Sequence, residues 1–105
     1  MPLRIDEDRI DHIFRDAVGH FRQDTPANRQ ALLETAGDSG NFVGRDRFGN
    51  EWFAALQTNG TQIWVQVREG KVKNGGVNVV PRSLQFGTAR NPVRGRTDEE
   101  TTTVA

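Results

Sequence analysis

Cysteine is missing from all 105 residues, which removes disulfides, thiolate nucleophiles and thiolate zinc sites. Long apolar runs are missing too. Nothing approaches the roughly 20 residues of a membrane-spanning helix, and no signal-peptide pattern opens the chain. Net charge is absent, with 14 Lys and Arg against 14 Asp and Glu. There is no Walker loop, nucleophile elbow or zinc-binding spacing. What remains is expected to be a small soluble domain of the cytoplasm, with no membrane contact and no cofactor. Only His12 and His20 offer imidazoles for acid–base work near neutral pH.

The length allows one domain with a single modest core. Its charges cancel overall but are unevenly placed. Residues 1–40 hold five Arg against eight acidic residues, and residues 41–90 hold seven Lys or Arg against three. The second half therefore suits an anionic ligand, unless the two halves simply attract each other.

The clearest local signal is Glu51–Thr58, Asn59-Gly60, Thr61–Arg68. Asn-Gly between alternating runs predicts a hairpin with a two-residue type I′ turn. That turn would set Thr58 opposite Thr61, Leu56 opposite Ile63, Trp52 opposite Val67 and Glu51 opposite Arg68. One face would then be apolar, with Trp52, Ala54, Leu56, Ile63, Val65 and Val67. The other would carry Glu51, Phe53, Gln57, Gln62, Trp64, Gln66 and Arg68.

Upstream, Asp6 can cap a first helix whose stripe Ile10, Ile13, Phe14 and Ala17 runs to a stop at Gly19. Asp6, Glu7, Asp8 and Asp11 step around that helix instead of converging, which fits its N-terminal dipole and not a metal. Thr25-Pro26 starts a second helix that Gly37 ends. Asn41–Arg47 reads as a short strand, and a Phe48-Gly49-Asn50 loop would set Arg47 opposite Glu51 and Arg45 opposite Phe53. Glu69-Gly70 turns the chain into Lys71–Asn74, pairing Val67 with Val72 and Arg68 with Lys71. That cation pair costs stability unless an anion lies between. Asn74-Gly75-Gly76 is expected to break the strand, with Val77–Val80 as a further short one. The expected fold is α+β, two N-terminal helices packed on a four-stranded antiparallel meander spanning residues 1–85. Residues 86–105 read as a disordered tail.

Two constellations could carry chemistry. On one unbroken helix His12 and His20 would be about 12 Å apart along the axis. They cooperate only if the chain folds back; otherwise each is an ordinary surface or packing histidine. Phe53 and Trp64, among Arg45, Gln62, Gln66, Arg68, Lys71 and Lys73, combine π-faces for bases with cations for phosphates. Alternatively a loop, helix or tail covers the two rings as a second small core.

The strings His12-Ile13-Phe14-Arg15-Asp16-Ala17-x-Gly19-His20 and Asp24-Thr25-Pro26-Ala27-Asn28-Arg29 resemble the C-terminal toxin domains of bacterial polymorphic toxins, of the Rhs and contact-dependent inhibition type. Asp46-Arg47-Phe48-Gly49-Asn50-x-Trp52, Gly60-Thr61-Gln62-x-Trp64-Val65-Gln66 and Asn74-Gly75-Gly76 fit the same domains. The resemblance spans about residues 10–82 and implies the barnase, EndoU, colicin and RelE-like ribonuclease group. It implies a metal-independent endoribonuclease acting on tRNA or rRNA through attack of the 2′-hydroxyl. His12 and His20 would be the acid and base, Arg47 and Arg68 the phosphate clamps, and Trp64 and Phe53 the base holders. A cognate immunity protein would be the partner, with delivery into a target-cell cytoplasm if the domain belongs to a secreted toxin. The chain departs from the family in lacking a basic excess. A non-catalytic RNA- or protein-binding module of the same fold, phage or mobile-element encoded, is the alternative.

Overall fold

A computed structural model describes residues 2–84; the tail expected at 86–105 lies outside them. The architecture is α+β, with two short helices and a five-stranded mixed sheet in the order β1-β5-β4-β3-β2. The strands are β1 (Arg4–Ile5), β2 (Phe42–Arg45), β3 (Glu51–Leu56), β4 (Gln62–Arg68) and β5 (Lys71–Asn78), and the helices α1 (Ile10–Ile13) and α2 (Pro26–Gly37). The expected four-stranded antiparallel meander therefore gains a fifth strand, because β1 runs parallel to β5 at its edge. No described helix is long and apolar enough to cross a membrane.

The helix α2 starts where Thr25 and Pro26 predict. Thr25 Oγ1 accepts the Asn28 N–H at 3.1 Å and proline occupies the first turn. Its buried residues Leu32, Thr35 and Ala36 cover one face of the sheet. There Leu32 joins Ile5, Ile13, Phe14, Ile63, Val65, Val67 and Val72 in the core, with Phe53 packed against it. Arg29 reaches both Asp24 and Glu7, tying the segment before α1 to α2.

The first helix is much shorter than its apolar stripe suggests. Asp6 caps only a 3-10 turn, Glu7–Arg9, and α1 ends at Ile13. Ile13 and Phe14 are buried, but Ala17 is exposed. The chain leaves the helix at Phe14, which bridges Phe21 in parallel, while the Arg15 N–H donates to the Phe21 carbonyl at 2.9 Å. Packing the partly buried Phe21 against the core beside Phe14 replaces one more turn of helix, and residues 15–20 form an arch.

The central hairpin forms, but one residue out of the expected register. Leu56 faces Gln62, Ala54 faces Trp64 and Trp52 faces Gln66. The cause is the turn. The Gln57 N–H donates to the Thr61 carbonyl and the Gly60 N–H to the Gln57 carbonyl, closing a loop of Thr58, Asn59 and Gly60. Gly60 has φ +88° while Asn59 stays at negative φ, the pattern of a type I turn followed by a left-handed glycine. Asn59 Oδ1 instead accepts from the Thr61 N–H and hydroxyl at 3.0 and 2.7 Å. The slip exchanges the two faces of β3 and leaves β4 as expected. Phe53 turns to the core, whereas Trp52, Ala54 and the 70% exposed Leu56 turn away from it.

Glu69-Gly70 supplies the type I′ turn, with φ of 56° and 76°, and the predicted pairs Val67–Val72 and Arg68–Lys71 form. The strand β5 does not break at Asn74-Gly75-Gly76. It continues to Asn78, with Lys73 as the extra residue of a bulge opposite Gln66 and Val67. The expected pairing of β2 is corrected as well: Arg45, not Arg47, lies opposite Glu51, and the two form an ion pair at 2.7 Å. Asp46 leaves the strand to organise the turn, accepting from the Phe48 and Asn50 N–H groups, the Asn50 side chain and the Trp52 indole. Burial pushes its carboxyl up, but the Trp52 and Asn50 hydrogen bonds outweigh this and hold it at about 2.

Candidate active site on the second sheet face

The face turned away from α2 carries Trp64, Gln62 and Gln66 from β4, Trp52 from β3, and Gly76 and Asn78 from β5. Trp52 and Trp64 sit diagonally across the strand pair and stack, ring centroids 5.7 Å apart and 22° from parallel. Both indole N–H groups are engaged, Trp52 with Asp46 and Trp64 with the Gly19 carbonyl at 2.8 Å. What the pair offers a ligand is therefore π-surface.

The arch after α1 folds onto this face. A β-carbon at Gly76 would lie 1.9 Å from the Gly19 oxygen, so only glycine lets the arch come this close. The fold-back brings the two histidines together, with ring centroids 6.4 Å apart, and sets His20 edge-on to Trp64 at 5.5 Å. His20 Nδ1 lies 3.0 Å from the Ile13 carbonyl and Nε2 lies 3.2 Å from Arg15 Nη2. A carbonyl only accepts and a guanidinium only donates, so the two contacts specify the Nδ1–H tautomer with a lone pair on Nε2. The pKa of His12 is lowered, first by burial and then by the fields of Arg9, Arg15 and His20. Beside His20 opens a cleft of about 380 Å³, lined by Val18, Gly19, His20, Trp52, Trp64, Asn78, Arg82, Ser83 and Leu84; His12 stands behind His20 and does not line it.

Of the residues singled out from sequence, His12, His20, Trp64 and Gln66 share this neighbourhood or its face. Arg68 shares the face but lies four residues along β4 from Trp64, about 13 Å at the rise of a strand. Arg47 sits in the β2–β3 turn with its guanidinium 5.0 Å from the Phe48 ring centroid. Arg45 is held by Glu51 and lies 6.0 Å from the Phe42 ring centroid. Phe53 packs edge-on to Phe42 on the core side, at 5.5 Å. Gln62 is buried, and its amide is engaged by Asn78 and the backbone of Arg82. Lys73 is paired with Asp6, whose carboxyl it holds below the usual range. Lys71 faces Arg68 across the β4–β5 turn.

Sequence reasoning missed Trp52, Arg15 and Arg82. The two-residue-turn register places Trp52 in the core, and the observed one-residue shift brings it to this face. Arg15 is next to the arch's own hydrogen bonds, and only the early end of α1 shows that it meets His20. Arg82 is brought back by Gln62, a contact that leaves no periodic signal. No protein-family model matches the chain, and no curated protein or solved structure matches it significantly.

Proposed function

We propose that the chain is a metal-independent endoribonuclease of the toxin type, cutting tRNA or rRNA, with the His12–His20 pair as its acid–base centre. The observation that carries this reading is the 6.4 Å approach of the two imidazoles beside an indole stack and an open cleft. Two imidazoles and a guanidinium are the parts that 2′-hydroxyl transesterification asks for. His12, kept deprotonated by its surroundings, takes the 2′-hydroxyl proton as the oxygen attacks the adjacent phosphorus. Arg15 leaves His20 Nε2 to meet the phosphate oxygens, the role expected from sequence of Arg47 and Arg68, and the freed Nε2 takes a proton from solvent. His20 then gives that proton to the departing 5′-oxygen. Trp52 and Trp64 hold a base by stacking. The barnase and RelE-like placement and a cognate immunity partner belong to the same proposal. So does action in the cytoplasm of the producer or of a target cell.

One observation favours a second reading. Both nitrogens of His20 and the Trp64 N–H already have partners within the chain, as a purely structural cluster would. In that case the cleft belongs to a binding module without catalysis. Incubation of the purified protein with total RNA in a chelator, beside His12→Ala and His20→Ala, separates the two. Cleavage that drops by about 10²–10⁴-fold in each variant supports the nuclease. Cleavage unchanged in both variants removes the histidine assignment, and RNA retention with no cleavage at all selects the module.

A further inference from the structure

The β1–β5 and β5–β4 pairings put three cations in one row. Arg4 lies opposite Lys71, and Lys71 lies opposite Arg68. Cross-strand partners share a face, and strands are about 4.8 Å apart, so the row crosses about 10 Å of sheet. The next row, Ile5–Val72–Val67, is buried in the core. The cations therefore stand on the opposite face, which is the face of Trp64 and Trp52.

Like charges directly opposite each other weaken a sheet, yet here two such pairs are adjacent. Among the described residues the cations of ion pairs are Arg22, Arg29, Arg45 and Lys73, and none belongs to the row. Asp6 feels the field of Lys71, but Lys73 already holds that carboxylate, and Glu69 lies in the exposed turn between Arg68 and Lys71. Arg4 and Arg68 are exposed, and Lys71 is half-buried. Three cations in line at the end of β4, none of them in an ion pair among the described residues, offer an anion a matching row of positive charge.

We infer that the Arg4–Lys71–Arg68 row binds the phosphate backbone of single-stranded RNA leading towards the Trp52–Trp64 stack. The order of side chains along β4, Arg68 then Gln66 then Trp64, places cations, an amide and a π-surface on one face. That sequence fits phosphates followed by bases, and an acidic peptide would have no use for the indoles. The inference deepens the ribonuclease reading by giving its substrate a path, but the row binds whether or not His12 and His20 cleave.

The test uses a fluorescein-labelled, single-stranded 2′-O-methyl oligoribonucleotide, which lacks the attacking hydroxyl, and follows anisotropy across a series of salt concentrations. Each phosphate contact contributes about 0.7 to the slope of log affinity against log salt, so the triple variant R4Q/K71Q/R68Q is expected to lose about 2. Arg68→Gln alone is expected to lose about 0.7, and it serves if the triple variant does not fold. Because the 2′-O-methyl oligonucleotide cannot be cut, its salt slope reads the row independently of His12 and His20, so loss of cleavage and loss of this site are separately visible. An unchanged slope in folded variants overturns the inference. So does binding of poly-glutamate with no binding of the oligonucleotide.

Discussion

A β-carbon on Gly76 would meet the Gly19 oxygen at 1.9 Å and the His20 Cα at 2.8 Å, and backbone cannot step aside as the end of a flexible side chain can. Gly76→Ala is therefore expected to push the arch off the sheet and cost about 1–3 kcal/mol in urea unfolding. The His20–Trp64 contact should go with it, seen as a change in tryptophan fluorescence of the native state. Gly37→Ala is the control. A β-carbon there meets nothing within 4 Å, and the change is expected to be neutral or stabilising by up to about 1 kcal/mol. At this scale His12 also makes a pH prediction. Burial and the neighbouring cations favour its neutral form in the folded state. The unfolded chain therefore binds the proton more readily, and the contribution of His12 to stability is fully present above the ordinary histidine value of 6.5. It is lost as pH falls through the window below that value. Proton NMR should place the His12 midpoint below that of a free imidazole, and a midpoint at or above it would contradict the packing described here. The sequence shows that only two imidazoles exist, but not that they meet, because their approach depends on where α1 stops.

Local pattern fixes an element's type more firmly than its ends or its register. Thr25-Pro26 and Gly37 bound α2 as read, because a cap, a first-turn proline and a terminal glycine act within a few residues. The end of α1 depends on Phe21 reaching Phe14, an interaction that helical spacing does not encode. The central hairpin shows the same division. Asn59-Gly60 marks the turn correctly, but the loop also takes in Thr58, so the faces of β3 exchange while those of β4 hold. Trp52 and Leu56 therefore lie on the side opposite to the one a two-residue turn implies. This geometry predicts the result of an unusual deletion. Removing Thr58 leaves Asn59-Gly60 as a two-residue turn between Gln57 and Thr61, with every observed pair from Leu56–Gln62 onward intact. The shortened protein is expected to fold, with a urea stability within about 1 kcal/mol of the parent. Amide hydrogen exchange should find the same protected N–H groups in β3 and β4. A molten or unfolded product would show that the left-handed Gly60 loop is itself required.

For the molecule as a whole, one sheet serves two purposes on two sides. The side under α2 is filled by Leu32, Val65, Val67 and Val72 and supplies most of the apolar burial. The other side is covered only in part, by the arch at Gly19–His20 and by the chain that follows β5. That following segment has one clear tether, which makes it the place to test how the cleft is kept in shape. Gln62 Oε1 accepts from Asn78 Nδ2 at 2.8 Å and from the Arg82 N–H at 3.1 Å, and its Nε2 donates to the Arg82 carbonyl at 3.0 Å. Gln62→Ala removes all three partners and leaves the amide of the buried Asn78 without its acceptor. The expected cost is about 1–3 kcal/mol, with the sheet core otherwise intact. Because Arg82, Ser83 and Leu84 form one wall of the cleft, release of this segment should open it without moving the Trp52–Trp64 stack. Limited trypsin digestion reads this directly, since cleavage after Arg82 is expected to become faster in the variant than in the parent, while cleavage after Arg68 and Lys71 in the β4–β5 turn keeps its rate. Equal acceleration at all three positions would mean that Gln62 supports the whole sheet, and the cleft would then have no independent wall. Acceleration at Arg82 alone makes Gln62 a support of the cleft, reached through the backbone and not through a side chain that touches ligand.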